Sequence, residues 1–427
     1  MPSMQIHVDA AAHFSAFKRS LRLLRTPRFG TYYVATLLSN IGTWSQQIAE
    51  PWLLLSLGAS SFLIGLDAFV QAAPAWMLIL AGGILADRAD RRVVITTFQA
   101  IQMMCPIILV ALLLTNSVEP WMVVVLSLVV GVTDAISMPS FQTIAPSIVR
   151  HDQIPSAIAL NATQFNLSRI LGPALAGILM ASVGAIGCFV VNAASYVPFI
   201  AVALWMLPRG STAAPADQKL DRRHLFVGLR KILTSRHMSG ALLTVLTTSM
   251  LCGPLIIFCP VLAKDVLQGD ASQFSLSIGA FGVGGLLGAV ALLGVDPAKD
   301  TRRLSSGFAV TYGIMTALAA VAPWLWALPI LLMIGGFSMT VSNTSANSLL
   351  QATAPARLRG RTISLYMLAM RGGLSVGSLL AGVSANLLGV RYALLINGVL
   401  AVVAHFIVGR RWSRGSLPPA APTLTSH

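Results

Sequence analysis

The chain has 427 residues, of which 56% are apolar and 10% are charged, against roughly 25% charged for an ordinary soluble domain. This balance excludes a disordered chain, a nucleic-acid-binding protein and most cytosolic enzymes. The net charge is nevertheless +15, from 29 Lys and Arg against 14 Asp and Glu, so the positions of the cations decide what that charge means.

Apolar segments recur from residue 30 to the C-terminal region, and each is long enough to cross a bilayer core of roughly 30 Å as a helix. The sequence therefore predicts an all-α membrane protein with twelve transmembrane helices. The predicted spans are 30–56, 62–86, 93–115, 120–143, 157–181, 184–207, 238–263, 273–294, 304–321, 324–348, 362–387 and 390–409.

The cations lie almost entirely in alternate connections between these spans. With both termini assigned to the cytoplasm, 25 of the 29 Lys and Arg fall on the cytoplasmic side, and only Lys264 and Arg391 fall on the other. This asymmetry is typical of inner-membrane proteins. We expect a multi-pass protein of the bacterial inner membrane with both termini in the cytoplasm. The stretch from Phe14 to Leu24 alternates apolar and basic side chains without a continuous apolar core, which predicts that residues 1–29 are an amphipathic segment on anionic lipids and not a cleavable signal peptide.

The two halves of the chain correspond to each other after a shift of 205 residues. The shift places Gly172 on Gly377, Gly177 on Gly382, Gly184 on Gly389 and Asn192 on Asn397. It predicts six-helix halves at 30–207 and 238–409, a cytoplasmic linker at 208–237 and a cytoplasmic tail at 410–427. Repeated halves are typical of secondary transporters, in which the substrate site lies between the halves near the bilayer midplane.

The connection after the second span carries the sequence GILADRADRR at 83–92. A glycine allows close helix contact, and the arginines can reach neighbouring helix ends. The pattern G-x-x-x-D-R-x-x-R-R resembles the signature of the major facilitator superfamily. The resemblance implies two pseudo-symmetric six-helix halves and a conformational latch formed by Gly83, Asp87, Arg88, Arg91 and Arg92.

The fifth span contains Gly172, Pro173 and Gly177, a pattern similar to the G-P-x-x-x-G element of exporters in that superfamily. The Gly-Pro pair bends or loosens a helix, and the small residues permit a tight helix–helix contact. The wider sequence of the first half resembles the enterobactin-exporter-like branch. One departure is Ser127, which stands where drug–proton antiporters often carry an arginine, so proton coupling through that position is in doubt.

Ionisable residues within the spans are the candidate site residues, because each costs several kcal/mol unless it is paired or solvated. They are Glu50, Asp67, Asp134, Arg169 and Arg371. In the functional interpretation the two arginines attract an anionic or catecholate-like substrate, and Glu50 or Asp134 is the proton-linked carboxylate. In the structural interpretation Asp134 binds Arg169 or the latch arginines. We expect Asp67 to lie near the outer surface, in solvent.

Polar and aromatic residues of the first span could line the same cavity, although membrane packing explains any one of them equally well. They are Asn40, Trp44 and Gln47. The glycines between 282 and 288 predict a close-packing helix face, because they lack the spacing of a dinucleotide loop. All four cysteines lie in apolar spans and are expected to be packing residues without disulfides.

These features favour a secondary exporter that works by alternating access and uses the proton gradient. We expect a siderophore-like metabolite or an amphipathic drug as substrate, no cofactor and no metal site, lipids as surroundings, no nucleic-acid partner, and a monomer. A broad multidrug–proton antiporter is the main alternative, and a small-metabolite importer is another. The absence of a clustered catalytic constellation argues against an enzyme, and a permease of an ATP-driven pump would need a partner chain, since the sequence has no P-loop.

Overall fold

The computed structural model describes residues 22–75, 78, 90–142, 144–150, 153–207, 234–293, 301–354 and 359–413, and within these ranges every regular element is a helix. The first helices are α1 Pro27–Ser56, α2 Ser61–Ala72, α3 Arg91–Leu114, α4 Pro120–Gln142, α5 Ile154–Ser182 and α6 Ala185–Met206. They are followed by α7 Arg236–Thr247, α8 Ala271–Leu293, α9 Arg302–Val321, α10 Ala327–Thr353, α11 Arg359–Leu388 and α12 Val390–Ser413.

Ten helices within the described ranges are long and apolar enough to cross a membrane, from Arg91–Leu114 to Val390–Arg410. This confirms the prediction of an all-helical, multi-span membrane protein. Two predicted spans are not among the ten. Helix α1 has 30 residues but carries many buried polar side chains, and α2 is described over 12 residues. The count of twelve therefore stays a prediction.

Prolines act differently in α5 and in the segment after α7. Helix α5 runs on through Pro173, but the helix that starts at Arg236 changes its hydrogen bonding before Pro254. It becomes a π-helix over Thr248–Cys252, continues as short α-helical segments, and is π-helical again over Leu262–Val266. A proline removes a backbone donor and crowds the preceding turn, which explains the irregular turns around it.

The helix contacts fall into two groups that meet mainly along two pairs of helices. Before residue 207, α1 packs on α5 and α6, α3 packs on α4 and α6, and α2 packs on α4. After residue 234, α8 packs on α10, and α9 packs on α10 and α12. The groups meet where α5 packs on α8 and where α2 packs on α11.

Glycines allow the backbones of these two pairs to approach closely. A Cβ atom on Gly65 would lie 2.5 Å from the carbonyl oxygen of Ser378 and 2.9 Å from Cα of Gly382. A Cβ atom on Gly177 would lie 2.8 Å from the carbonyl oxygen of Ser275. Both crossings lie where α2 and α8 begin and α5 and α11 end, which we call the Ser60 end after the residue that caps α2.

An aromatic contact joins the two groups at the same end. The ring of Trp52 on α1 stacks on that of Phe274 on α8, with the centroids 4.8 Å apart. The short connections here turn on glycines, since Gly184 and Gly389 have φ angles of 80° and 86°. The Ser60 end is therefore closely packed between the two groups of helices.

Candidate functional site

An ion pair between α4 and α11 links the two groups of helices. Nη1 of Arg371 lies 2.6 Å from Oδ2 of Asp134, and the two side chains are 34% and 41% exposed. The alternative in which Asp134 binds Arg169 or the latch arginines is wrong for the described residues. Helix α11 crosses α2, the neighbour of α4, and this brings Arg371 opposite Asp134.

The second predicted cation reaches the same turn of α11. Nη1 of Arg169 lies 3.3 Å from Sδ of Met370, the residue next to Arg371, and its guanidinium also lies near the hydroxyl of buried Tyr366. The structure thus brings the two predicted arginines, from α5 and α11, to one level of the bundle. Both neighbours are neutral, so neither balances the positive charge of Arg169.

Glu50 is buried on α1, with 3% of its surface exposed, and it accepts hydrogen bonds from two other helices. The hydroxyl of Ser127 on α4 donates to Oε1 over 2.7 Å, and Nε2 of Gln71 on α2 donates to Oε2 over 3.4 Å. Gln71 in turn accepts from Nε2 of Gln47, at 3.1 Å. Because Gln47 is only half-buried, this amide pair leads from Glu50 toward the less buried side of α1.

Asp67 is buried, with 4% of its surface exposed, so the expectation that solvent surrounds it is wrong. Helix α2 packs between α4 and α11, and this places Asp67 inside the bundle. Its carboxyl group interacts with that of Glu50 and with the hydroxyl of Ser127. Oδ1 of Asp67 is buried with no hydrogen-bond partner among the described residues.

The remaining predicted residues of α1 pack against α5 and α6. A Cβ atom on Gly172 would collide with Cβ of Trp44, and the ring of Trp44 meets that of Phe165 edge-on at 6.0 Å. Asn40 is half-buried on the same helix. Trp44 therefore contributes to the packing of α1 on α5, and Gly172 provides the space it needs.

The predicted latch is described only at its end. Gly83, Asp87 and Arg88 lie outside the described residues, whereas Arg91 and Arg92 begin α3. The carboxylate of Asp90 caps this helix by accepting from the backbone N–H of Arg92 at 2.9 Å. Nη1 of Arg92 reaches the carbonyl oxygen of Leu207 at 3.5 Å, which ties the start of α3 to the end of α6.

Two residues of this site do not follow from the sequence patterns used above. Gln71 stands in an apolar segment and carries no charge, so no rule about ionisable groups selects it. Ser127 was noticed only because it replaces an arginine, and the structure shows that its hydroxyl binds Glu50 instead. The sequence signal that could have selected Ser127 is its position two helical turns before Asp134, a carboxylate within a span.

Comparison with known proteins agrees with this architecture. The model of a family described as transmembrane secretion effector, within the major facilitator superfamily, matches residues 19–415. The crystal structure of the nucleoside transporter NupG is similar in fold, with a TM-score of 0.71 at 13% identity, over 91% of this chain and 100% of that one.

Three relatives match most of the chain. The staphyloferrin A transporter of Staphylococcus aureus is 23% identical, over 88% of this chain and 95% of its own length. The multidrug efflux pump Tap of Mycolicibacterium fortuitum is 25% identical, over 86% and 93%. The enterobactin exporter EntS of Escherichia coli is also 25% identical, over 89% and 92%.

Proposed function

Because this chain belongs to the transmembrane secretion effector family of the major facilitator superfamily, we propose that it exports a siderophore-like metabolite by alternating access. The family consists of membrane transporters, so the chain is a transporter of small molecules and not an enzyme. Two of its relatives are named for siderophores, staphyloferrin A and enterobactin, and a third is named for multidrug efflux.

The observation that carries the proposal for an anionic substrate is the solvent-accessible ion pair of Asp134 and Arg371 beside Arg169. Guanidinium groups bind carboxylate and catecholate oxygens with directed, charge-assisted hydrogen bonds. An anionic substrate that enters between the groups replaces Asp134 as the partner of Arg371 and adds Arg169 as a second cation. The exchange separates α4 from α11, so binding is linked to movement of the two groups.

The proposed topology has twelve transmembrane helices in two halves, both termini in the cytoplasm, and the Ser60 end at the outer surface. The bias of 25 cations to two between the faces supports it. The glycine crossings of α2 with α11 and of α5 with α8 would then close the outer side. Rocking of the halves about these crossings opens the cavity to each side in turn.

The proposed energy source is the proton gradient, with no cofactor and with a monomer as the transporting unit. The sequence contains no P-loop for ATP, and the carboxylates of Glu50 and Asp67 are buried inside the bundle. These carboxylates provide groups whose charge can change during the cycle. A cation-free hydrogen-bond network around Glu50, within the described residues, is where such a change is most easily accommodated.

The test uses purified protein in liposomes with an imposed pH gradient and two probes, enterobactin and ethidium. We expect gradient-driven transport of enterobactin that an uncoupler abolishes. Arg371→Gln should reduce enterobactin transport and leave transport of the cationic probe measurable. If the wild-type protein moves ethidium and not enterobactin, the broad multidrug function replaces the siderophore function.

A further inference from the structure

We propose that Glu50 and Asp67 form one shared proton site, in which the pair carries a single proton that is exchanged for substrate during transport. The inference rests on the proposed function and assigns its coupling step to two helices, α1 and α2. In this structure Asp134, the other candidate carboxylate, has a cationic partner in Arg371, whereas Glu50 and Asp67 have none among the described residues.

The geometry leaves the pair with an uncompensated charge. Both carboxyl groups are buried, at 3% and 4% exposure, and interact with each other. Among the described residues neither forms an ion pair with a Lys, Arg or His. Two adjacent buried carboxylates cannot both stay ionised without a counterion, and a single proton between them removes half of the charge.

The hydrogen-bond donors around the pair favour a proton over a metal ion. Ser127 and Gln71 donate an O–H and an N–H to Glu50, and the amide oxygen of Gln71 already accepts from Gln47 and so is not free to bind Na⁺. Cys105 on α3 lies within electrostatic range of Glu50 and adds no cationic charge. Oδ1 of Asp67, buried without a partner, is the atom that gains most from a proton in the pair.

A chain of hydrogen-bonded side-chain amides connects the pair to a less buried position on α1. Gln47 is half-buried and bonds to Gln71, which bonds to Glu50. On α4, Ser127 lies seven residues before Asp134, so two helical turns separate the proton site from the arginine-bound carboxylate on one face. Separation of α4 from α11 by a substrate therefore acts on the helix that donates to Glu50.

The test compares gradient-driven transport of enterobactin with counterflow, which needs no gradient, in liposomes that contain Glu50→Gln or Asp67→Asn. We expect each substitution to reduce gradient-driven transport about tenfold and to leave counterflow within about twofold of wild type. Asp265→Asn, at an exposed position next to α8, is the matched control and should transport as wild type does. Gradient-driven transport that is unchanged in Asp67→Asn overturns the pair and leaves Glu50 to act alone.

A second measurement needs no substrate. Infrared absorption should show a protonated carboxyl group in the wild-type protein in nanodiscs near neutral pH, and the band should vanish in the Glu50→Gln, Asp67→Asn double variant. A band that persists in the double variant overturns the pair. This measurement still decides the question if a single variant misfolds and loses counterflow. Loss of the band on replacing choline with Na⁺ at constant pH assigns the site to Na⁺ and overturns the proton.

The two proposals fail in different ways. A wild-type protein that exchanges enterobactin but ignores the pH gradient overturns proton coupling in the proposed function. The shared proton site is then judged by the infrared band alone, which reports proton binding whether or not transport uses it. If neither probe is transported, the proposed function is overturned, and the infrared band still tests the pair.

Discussion

Asp134 and Arg371 form a partly exposed ion pair that joins the two groups of helices. Because its side chains are 34% and 41% exposed, the pair contributes little to stability, on the order of 0.2–1 kcal/mol. The short contact nevertheless occupies the guanidinium group of Arg371, which an anionic substrate needs. Asp134 therefore competes with the substrate for Arg371 and adds little to the stability of the fold.

This view predicts the effect of Asp134→Asn. The variant should melt within a few degrees of the wild-type protein and bind enterobactin several-fold more tightly, because Arg371 no longer has an ionised partner to exchange. Titration of enterobactin against intrinsic tryptophan fluorescence measures the affinity. Asp265→Asn serves as the control, and unchanged or weaker binding in Asp134→Asn would mean that substrate does not compete for Arg371.

Ser127 offers a second prediction at this scale. Ser127→Ala removes the donor that lies 2.7 Å from Oε1 of buried Glu50, so the free energy of unfolding should fall by about 1–3 kcal/mol. Ser127→Thr keeps the hydroxyl and should recover most of the loss. Thermal unfolding in detergent measures both, with Ser182→Ala at an exposed helix end as the control. Equal melting temperatures of the Ser127→Ala variant and the wild type would contradict this prediction.

At the scale of helices, the two glycine crossings decide how closely the groups approach at the Ser60 end. Gly65→Ala should push α2 from α11, and Gly177→Ala should push α5 from α8, since each added Cβ meets backbone atoms at 2.5–2.8 Å. We expect a shift toward the state open at this end, with a longer distance between spin labels at positions 59 and 387. Gly307→Ala, whose Cβ would face open space, should leave that distance unchanged.

How far the sequence predicts an element depends on whether one segment or several determine it. Apolar length alone predicts the long helices, since α9 at Arg302–Val321 differs from the expected 304–321 by two residues at its start. The π-helical turns around Pro254 depend on how neighbouring helices satisfy the backbone, which no single segment encodes. Asp67 is likewise buried because α4 and α11 pack on either side of its helix. Its own segment carries no information about these neighbours, so the sequence predicted an exposed side chain.

The candidate site shows the same limit. Charge in an apolar span selected Glu50, Asp134, Arg169 and Arg371 without any structure, because an intramembrane charge needs a reason. Their partners could not be selected, since the pairing of Asp134 with Arg371 joins residues 237 positions apart. Gln71 was missed because a neutral side chain costs less free energy in a membrane span than a charged one does. Its role is visible only from its contact with Glu50.

At the scale of the whole molecule, the net charge of +15 is a statement about orientation. With 25 cations on one face and two on the other, reversing the chain in the bilayer would place the basic connections outside, against the usual bias. The same assignment places the Ser60 end outside. The side of the membrane that the glycine crossings close therefore depends on this orientation.

The orientation can be tested with single cysteines, because the four native cysteines are buried and give little background. Ser117→Cys, exposed between α3 and α4, should react with a membrane-impermeant maleimide in intact spheroplasts. Ser147→Cys, exposed between α4 and α5, should react only after the membrane is permeabilised. The two sites flank one helix, so their labelling cannot agree if α4 crosses the bilayer. The reverse pattern would place the basic connections outside and the closed glycine crossings on the cytoplasmic side, and would overturn the proposed topology.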